Sequence, residues 1–228
     1  MSKADDVSAL ELAALMCSRV CHDVISPVGA ITNGLEVLAD DDDDPEMRAH
    51  AMDLIAKSAA QASAKLQFAR LAFGAAGSAG AALDLQDARK VAEGLMMSEK
   101  ATLSWTAPVA TIGKDYVKLL LNMVLIGMAA IPRGGEVAVL VEGELSRPLM
   151  RVTSTGMAAR VPEETAKFLD GRDPDRFLDA RAAQPYFTGL VARSLGLNIS
   201  ARMEGERFIL EASSPAVSAA EAVPTVSE

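Results

Sequence analysis

Two long segments near the N-terminus, 7–39 and 45–73, have the apolar spacing of amphipathic helices. In the first segment, apolar residues recur at steps of three and four and therefore line one stripe of a helix. Five successive aspartates and Pro45 separate the segments. Because like charges repel and proline favours the first helical position, they indicate a turn. The sequence thus predicts a hairpin of two long helices. The stripe of the first helix is formed by Leu10, Ala14, Cys17, Cys21, Ile25, Val28, Ile31 or Thr32, Leu35 and Leu38.

The apolar stripe of this hairpin needs a partner, because two helices alone cannot bury both of their apolar faces. A second copy of the hairpin would complete a four-helix bundle, so we predict a homodimer through residues 7–73. The alternative is that the C-terminal half of the chain covers the hairpin, but that half has the pattern of a self-sufficient domain. Cys17 and Cys21 lie on the stripe, and we expect them to be small core residues in a reducing compartment.

The C-terminal half has a different sequence pattern from the hairpin. A linker of small residues at 74–80 precedes alternating strand and helix patterns, which predict an α/β sandwich of about 130 residues. The sequence therefore predicts an α+β protein with a helical domain at 1–75, an α/β domain at 82–213 and a flexible tail at 214–228. We place strands at 83–85, 102–106, 136–142, 149–154, 197–203 and 207–212, and helices at 87–97, 114–131, 162–169 and 184–195.

Composition narrows the possible functions. The net charge of −9 is unfavourable for binding nucleic acid, whose phosphates are also negative. No apolar run reaches about 18 residues, the length that indicates a transmembrane helix. The N-terminus also lacks the pattern of a signal peptide. We therefore expect a cytoplasmic protein that binds neither nucleic acid nor membrane.

His22 is the candidate catalytic residue, at the edge of the apolar stripe. A lone histidine on a helix is usually a surface or core residue, and we assign a surface role to His50. Three features around His22 favour a catalytic role as a nucleophile. A neutral imidazole nitrogen is a nucleophile at neutral pH. Asp23 can hold one ring nitrogen protonated and turn the other outward. Pro27 crowds the carbonyl of Asp23, which predicts a bend just after the histidine.

The motif His22-Asp23-x-x-Ser26-Pro27-x-x-x-Ile31 resembles the phosphoacceptor box in the dimerisation and histidine-phosphotransfer domain of sensor histidine kinases. Within that class, the combination of this box, a helical hairpin and a kinase-like second domain most resembles the alphaproteobacterial histidine phosphotransferases. The resemblance covers most of residues 10–212.

The second domain resembles the catalytic domain of these kinases, which has the GHKL or Bergerat fold. Residues 121–136 match the helix region beside the ATP lid, including Asn122 and a closing Pro-x-Gly-Gly. The family has a second asparagine, which holds magnesium, where this chain has Ile126. It usually has a lysine where this chain has Ala129.

A second motif of the nucleotide site departs from the family in the same way. Residues 152–159 resemble the Asp-x-Gly-x-Gly box, but Ser154 replaces the aspartate that reads adenine and Ala158 replaces the second glycine. The glycine-rich lid motif is absent before the helix at 184. The resemblance therefore implies a retained scaffold in which ATP binding is very weak.

The resemblance implies a phosphorelay protein that carries no cofactor of its own. His22 would take a phosphoryl group from the receiver-domain aspartate of a hybrid histidine kinase and pass it to the receiver domains of cell-cycle response regulators. Asp23 would orient the histidine, and Arg19, Ser26 and Pro27 are candidate contacts of the phosphoryl group or the receiver. The receiver would supply magnesium, so we expect no metal site in this chain.

Two other functions remain open at this point. One is a non-catalytic dimeric adaptor with a vestigial histidine, and the other is an active histidine kinase with unusual ATP residues. The replacements at 126 and 154 argue against the kinase, because neither new side chain can do the chemistry of the residue it replaces. Basic residues of the second domain are further candidate receiver contacts: Arg160, Lys167, Arg172, Arg176 and Arg181.

Overall fold

A computed structural model describes residues 7–40, 44–74, 81–173 and 178–215. The predicted linker after residue 74, most of the predicted tail, the middle of the aspartate run and Arg176 lie outside these residues. The predicted domain boundaries at 75, 82 and 213 therefore stay predictions.

The N-terminal region is the predicted hairpin of two long helices. Ser8 caps the first helix, because its Oγ accepts a hydrogen bond of 3.1 Å from the backbone N–H of Glu11. Asp44 caps the second helix in the same way, and Pro45 occupies the first helical position as expected. The helices of the whole described chain are α1 (Ala9–Ala39), α2 (Pro45–Ala72), α3 (Leu85–Met96), α4 (Lys114–Ala130), α5 (Glu163–Phe168) and α6 (Ala183–Ser194).

The C-terminal region is a mixed sheet packed against helices, so the predicted α+β fold is confirmed. The strands are β1 (Ala82–Asp84), β2 (Ala101–Thr106), β3 (Thr111–Gly113), β4 (Gly135–Glu142), β5 (Leu149–Thr155), β6 (Asn198–Glu204) and β7 (Arg207–Ser213). Five of them form one sheet in the order β2-β4-β5-β7-β6, in which β2 runs parallel to β4 and all other neighbours are antiparallel. Strands β1 and β3 form a separate antiparallel pair, and the sequence did not predict β3.

The main core lies between the five-stranded sheet and helices α3, α4 and α6. Alternate residues of β4, such as Val137 and Val139, point into it, as the period of two along a strand requires. Phe68 and Ala72, at the end of α2, belong to the same core. The C-terminal half therefore covers one end of the hairpin, which is part of the alternative to a dimer raised from the sequence.

The predicted apolar stripe of α1 is not buried within the chain. Leu10 is 83% exposed and Ile25 is 69% exposed. Cys17 and Cys21 are also exposed, so the expectation that they are core residues is wrong for the isolated chain. The reason is that α1 packs on α2 through a different face.

On that packing face of α1 the buried positions are Pro27 and Gly34. Val20 and Val24 are half-buried on α1 as well. A Cβ placed on Gly34 would lie 2.6 Å from Cγ1 of Ile55, which is closer than side-chain atoms approach one another. Glycine thus allows α1 and α2 to lie in close contact. None of the described helices has both the length and the apolar character needed to cross a membrane.

Candidate functional site

His22 lies on the exposed side of α1, with 85% of its side chain accessible. Its Nδ1 atom is 3.6 Å from Oδ1 of Asp23, the next residue along the helix. A carboxylate on this side favours the tautomer in which Nδ1 carries the proton. Nε2 is then the unprotonated ring nitrogen, on the side of the ring away from Asp23.

Asp23 is itself held by a residue one turn earlier. Nε of Arg19 donates a hydrogen bond of 3.2 Å to Oδ2 of Asp23. One carboxylate oxygen therefore faces the arginine while the other faces the histidine. The side chains of Arg19 and Asp23 are 30% and 40% exposed, so the pair is only partly screened by water. Arg19, Asp23 and His22 form a connected series along one side of α1.

Lys65 of α2 is a site residue that the sequence reasoning missed. In a regular helix the carbonyl of Asp23 accepts the N–H of residue 27, but Pro27 has no N–H to give. Nζ of Lys65 donates to that carbonyl instead, at 3.1 Å. The sequence signalled the free carbonyl, because a proline inside a helix always frees the carbonyl four residues before it, but it did not signal that Lys65 would be the donor.

The other predicted contact residues differ in exposure. Ser26 is exposed one turn after His22, as a contact with a partner requires. Pro27 is buried, which argues against a direct contact with a phosphoryl group or a receiver. Of the basic residues proposed in the C-terminal domain, Arg160, Lys167, Arg172 and Arg181 are exposed, and Arg176 lies outside the described residues.

A cleft of about 290 Å³ opens beside this site, between the hairpin and the C-terminal domain. Arg19, Asp23 and Lys65 line its hairpin side. Its opposite side is largely apolar and includes Leu125 and Met128 of α4. The mixture of charged and apolar walls suits a protein surface that has both kinds of side chain.

A second, smaller cleft of about 150 Å³ lies where the sequence resembles a nucleotide site. Ile126 and Ala129 line it, at the positions where the kinase family has an asparagine and a lysine. Arg19 reaches from α1 to line this cleft as well as the larger one. The first helix of the hairpin thus contributes one side chain to the wall of this cleft.

The other two replaced positions of that motif differ in burial, because Ser154 is packed in the core and Ala158 is exposed. Ser154 is fully buried, and its Oγ has no hydrogen-bond partner among the described residues. A Cβ on Gly127 would lie 2.7 Å from Cγ1 of Val152 and 2.8 Å from Oγ of Ser154, so α4 sits directly on β5. Ala158 has a φ of 61°, the left-handed conformation that favours glycine. Ala158 therefore occupies a backbone conformation that glycine adopts at lower cost.

Comparison with known proteins assigns the chain to a family. Residues 85–207 match the model of the histidine phosphotransferase C-terminal domain. The protein phosphotransferase ChpT of Brucella abortus (strain 2308) is 47% identical over 212 residues, which cover 93% of this chain and 100% of that relative. The chain belongs to the histidine phosphotransferase family.

Solved structures agree with this assignment. A structure described as a bacterial phosphotransferase is 45% identical to this histidine phosphotransferase and superimposes with a TM-score of 0.82, covering 91% of this chain and 98% of the other. The structure of the histidine kinase AdeS of Acinetobacter baumannii superimposes with a TM-score of 0.44 at 9% identity. The match covers 85% of this chain and 96% of the AdeS chain. That likeness is too distant to support an inference about function.

Proposed function

We propose that this protein is a phosphorelay shuttle whose nucleophile is Nε2 of His22. It would accept a phosphoryl group from the aspartyl phosphate of a hybrid-kinase receiver domain and pass it to the receiver domains of response regulators. The observation that carries the proposal is the exposed imidazole of His22 beside the Asp23 carboxylate, 3.6 Å from Nδ1. A histidine in this arrangement is accessible to a large partner and has one nitrogen free to react.

The transfer needs only groups that the two proteins bring together. Nε2 attacks phosphorus, the N–P bond forms, and the bond from phosphorus to the donor aspartate breaks, so the aspartate leaves as a carboxylate. The ring of the phosphohistidine is then positively charged, since Nδ1 keeps its proton, and Asp23 stabilises that charge. The second transfer reverses these steps on another receiver. Because the transition state is loose, positioning and charge neutralisation account for most of the catalysis.

Arg19 and Lys65 act in this scheme by holding Asp23. Arg19 fixes the carboxylate and Lys65 fixes the backbone at the same residue. Both also line the cleft of about 290 Å³, where an approaching receiver would meet them. Magnesium would come with the receiver. In the described part of the chain, no group of three or more histidine, cysteine, aspartate or glutamate side chains could hold a metal ion.

The proposal excludes ATP as the phosphoryl donor. Small-molecule sites usually enclose about 300 to 1,000 Å³, and the cleft at Ile126 and Ala129 has about 150 Å³. The residues that would read adenine and hold magnesium are replaced by Ser154, which is buried, and by Ile126. These features support a domain that has lost nucleotide binding.

The proposal also includes a homodimer. The exposed apolar side chains of the hairpin would pack against a second hairpin to form a four-helix bundle. Support comes from the number of large apolar residues that the single chain leaves uncovered on both helices. They are Leu10, Ile25, Val28, Leu35 and Val37 on α1, and Met47, Met52, Leu54 and Leu66 on α2.

A labelling experiment tests the proposed transfer. The protein is mixed with a receiver domain carrying labelled aspartyl phosphate, or with labelled ATP and magnesium, and acid-labile label is measured. We expect label only from the receiver. We expect none in His22→Ala, which should stay folded because the side chain is exposed. His50→Ala is the matched control, since His50 is the only other histidine and is also exposed.

Three other outcomes would contradict the proposal. Label from ATP would indicate an active kinase and would mean that the replacements at 126 and 154 do not abolish nucleotide use. Label retained in His22→Ala would mean that another residue is the acceptor. The absence of label with any of several receivers would favour a dimeric adaptor.

A further inference from the structure

A buried polar network joins the end of the hairpin to the C-terminal domain. Asn122 of α4 is fully buried, and its Nδ2 donates hydrogen bonds to the carbonyl oxygens of Ala72 at 2.7 Å and Lys118 at 2.9 Å. Ala72 is the last residue of α2, where carbonyls have no partner within their own helix. A side chain of one domain therefore caps a helix of the other.

Gln184 of α6 completes this network. Its Nε2 donates to Oδ1 of Asn122 at 3.1 Å and to the backbone oxygen of Asn122 at 3.0 Å. It also approaches Oγ1 of Thr188, at 3.1 Å, and the Thr188 hydroxyl donates to the carbonyl of Gln184 at 2.7 Å. Gln184 thereby fixes the Asn122 amide with its oxygen toward α6 and its nitrogen toward α2. We call Asn122 and Gln184 the interdomain lock.

Two further contacts from the ends of the hairpin fall on the same turn of α6. The backbone N–H of Val7, just before α1, donates to the hydroxyl of Tyr186 at 3.4 Å. The ring of Phe73, just after α2, meets the ring of Phe187 edge to face with centroids 6.1 Å apart. Both ends of the hairpin therefore rest on the first turn of α6.

Asn122 of the interdomain lock lies on the same helix, α4, as residues that line the cleft beside His22. Leu125 and Met128, which line one wall of that cleft, follow Asn122 on α4 by about one and two turns. The opposite wall belongs to the hairpin. The distance between the walls therefore depends on how α4 is held against the end of α2, and the bonds to Ala72 and Gln184 hold it.

From these contacts we infer that Asn122 and Gln184 are positioning residues for phosphotransfer, an inference that rests on the proposed function. They touch neither His22 nor a receiver. They fix the C-terminal domain on the hairpin so that the cleft has the width which a docking receiver must fit. Asn122 stands where the kinase family has an asparagine of the nucleotide site. Here its amide donates one hydrogen bond to the end of α2, at Ala72, and one within α4, at Lys118.

The test compares two variants of the full chain, in which one or both residues of the interdomain lock are replaced. Asn122→Leu removes the amide at similar volume. The double variant Asn122→Leu/Gln184→Leu replaces both partners by apolar groups, which leaves fewer buried polar groups unsatisfied. The matched control is Val139→Ala, a loss of core packing in strand β4 that removes no bond to the hairpin. Hydrogen exchange at the last turn of α2 reports the state of the lock.

We expect both lock variants to exchange faster at the last turn of α2 and to raise KM for the phosphorylated receiver. Loss of the bond to Ala72 leaves a buried carbonyl without its partner. This loss corresponds to roughly a tenfold change in an equilibrium constant, so KM should rise by about that factor. The maximal transfer rate should stay within about twofold, because the chemistry at His22 is untouched. Val139→Ala should change neither the exchange rate at the last turn of α2 nor KM for the phosphorylated receiver.

An unchanged KM in a folded variant with faster exchange would overturn the positioning role. A similar rise of KM in Val139→Ala would also overturn it, since reduced stability alone would then explain the effect. If the wild-type protein accepts no phosphoryl group, the proposed function fails and the positioning role fails with it. If both lock variants exchange as slowly as the wild-type protein at the last turn of α2, the polar network does not hold the domains together.

Discussion

The hairpin and the C-terminal domain differ in how far they bury their large apolar residues. Leu119, Leu120 and Leu121 of α4 are completely buried. Leu10 and Ile25 of α1 are more than two-thirds exposed. Helix α4 lies between the sheet and neighbouring helices, whereas α1 packs mainly on α2 and leaves most of its apolar stripe uncovered. An amphipathic helix gains its stability from the surface that covers it, so the hairpin is the region that needs a partner.

The two regions also differ in which of them carries the proposed reactive group. In the proposed function, the exposed His22 of the hairpin is the nucleophile and Asp23 orients it. The C-terminal domain has buried side chains at Ser154 and Ile126, where the sequence resembles the nucleotide site of histidine kinases. On this proposal the hairpin carries the reactive group and the C-terminal domain shapes the surface beside it. Each of the following predictions tests one side of that contrast.

The largest effect is expected on dimerisation. Ile25→Glu/Val28→Glu places two charges on the exposed apolar face of α1. Because removing a charge from water costs several kcal/mol, we expect the dimer dissociation constant to rise by roughly a thousandfold or more. Sedimentation equilibrium measures it. The control is Val109→Glu, a substitution at a position of the C-terminal domain that is 84% exposed. An unchanged constant in the double variant would contradict the bundle.

A smaller effect is expected on transfer when the orienting carboxylate is changed. Asp23→Asn removes the charge beside Nδ1, and loss of such an orienting partner typically costs ten- to a hundredfold, so the transfer rate should fall by about that factor. Rapid-quench kinetics with a phosphorylated receiver measure it. Asp53→Asn is the matched control, because Asp53 forms an exposed pair of the same spacing with Lys57, at 2.7 Å. Equal rates in the two variants would mean that Asp23 does not orient His22.

Packing in the C-terminal domain predicts opposite effects for two glycines. Gly127→Ala would force a Cβ against Val152 and Ser154, and overpacking of this kind costs about 1–3 kcal/mol. Gly94→Ala on α3 meets nothing within 4 Å, and should stabilise by roughly 0.5–1 kcal/mol because alanine favours helix. Urea unfolding measures both. An unchanged or higher stability of Gly127→Ala would contradict the tight contact of α4 with β5.

The smallest effect is expected in the loop that resembles a nucleotide-binding motif. Ala158 has a φ of 61°. Ala158→Gly relieves the left-handed strain and loses some chain entropy, which leaves a gain of roughly 0.5–1 kcal/mol. The neighbouring change Ala159→Gly, at an ordinary backbone conformation, should destabilise slightly. Thermal unfolding distinguishes the two. A loss of stability in Ala158→Gly would mean that the methyl group packs favourably enough to offset the strain.

Much of this fold was predictable from local patterns. The two long helices begin and end within about two residues of their predicted bounds, because proline, aspartate and serine mark helix starts clearly. Strand β3 was missed because three residues, Thr111–Gly113, carry no readable period. The stripe on α1 was predicted, but periodicity does not indicate which neighbour covers it. The buried positions of α1 are Pro27 and Gly34, and neither belongs to the predicted stripe.

The candidate site was predictable in part. His22 and Asp23 are adjacent in sequence, so their proximity follows from the helix itself. Lys65 comes from α2, and its bond to Asp23 depends on how the two helices align. The contact of Asn122 with Ala72 joins residues 50 positions apart and depends on how the domains dock. Contacts of this kind need the tertiary structure, since no local pattern specifies them.

The most direct test of this account is ³¹P NMR of the protein after phosphorylation by a receiver domain. The chemical shift distinguishes phosphate on Nε2 of histidine from phosphate on Nδ1. The account predicts a single phosphohistidine linked through Nε2 and located on His22, because Asp23 lies beside Nδ1. Phosphate on Nδ1, or on any residue other than His22, would contradict it.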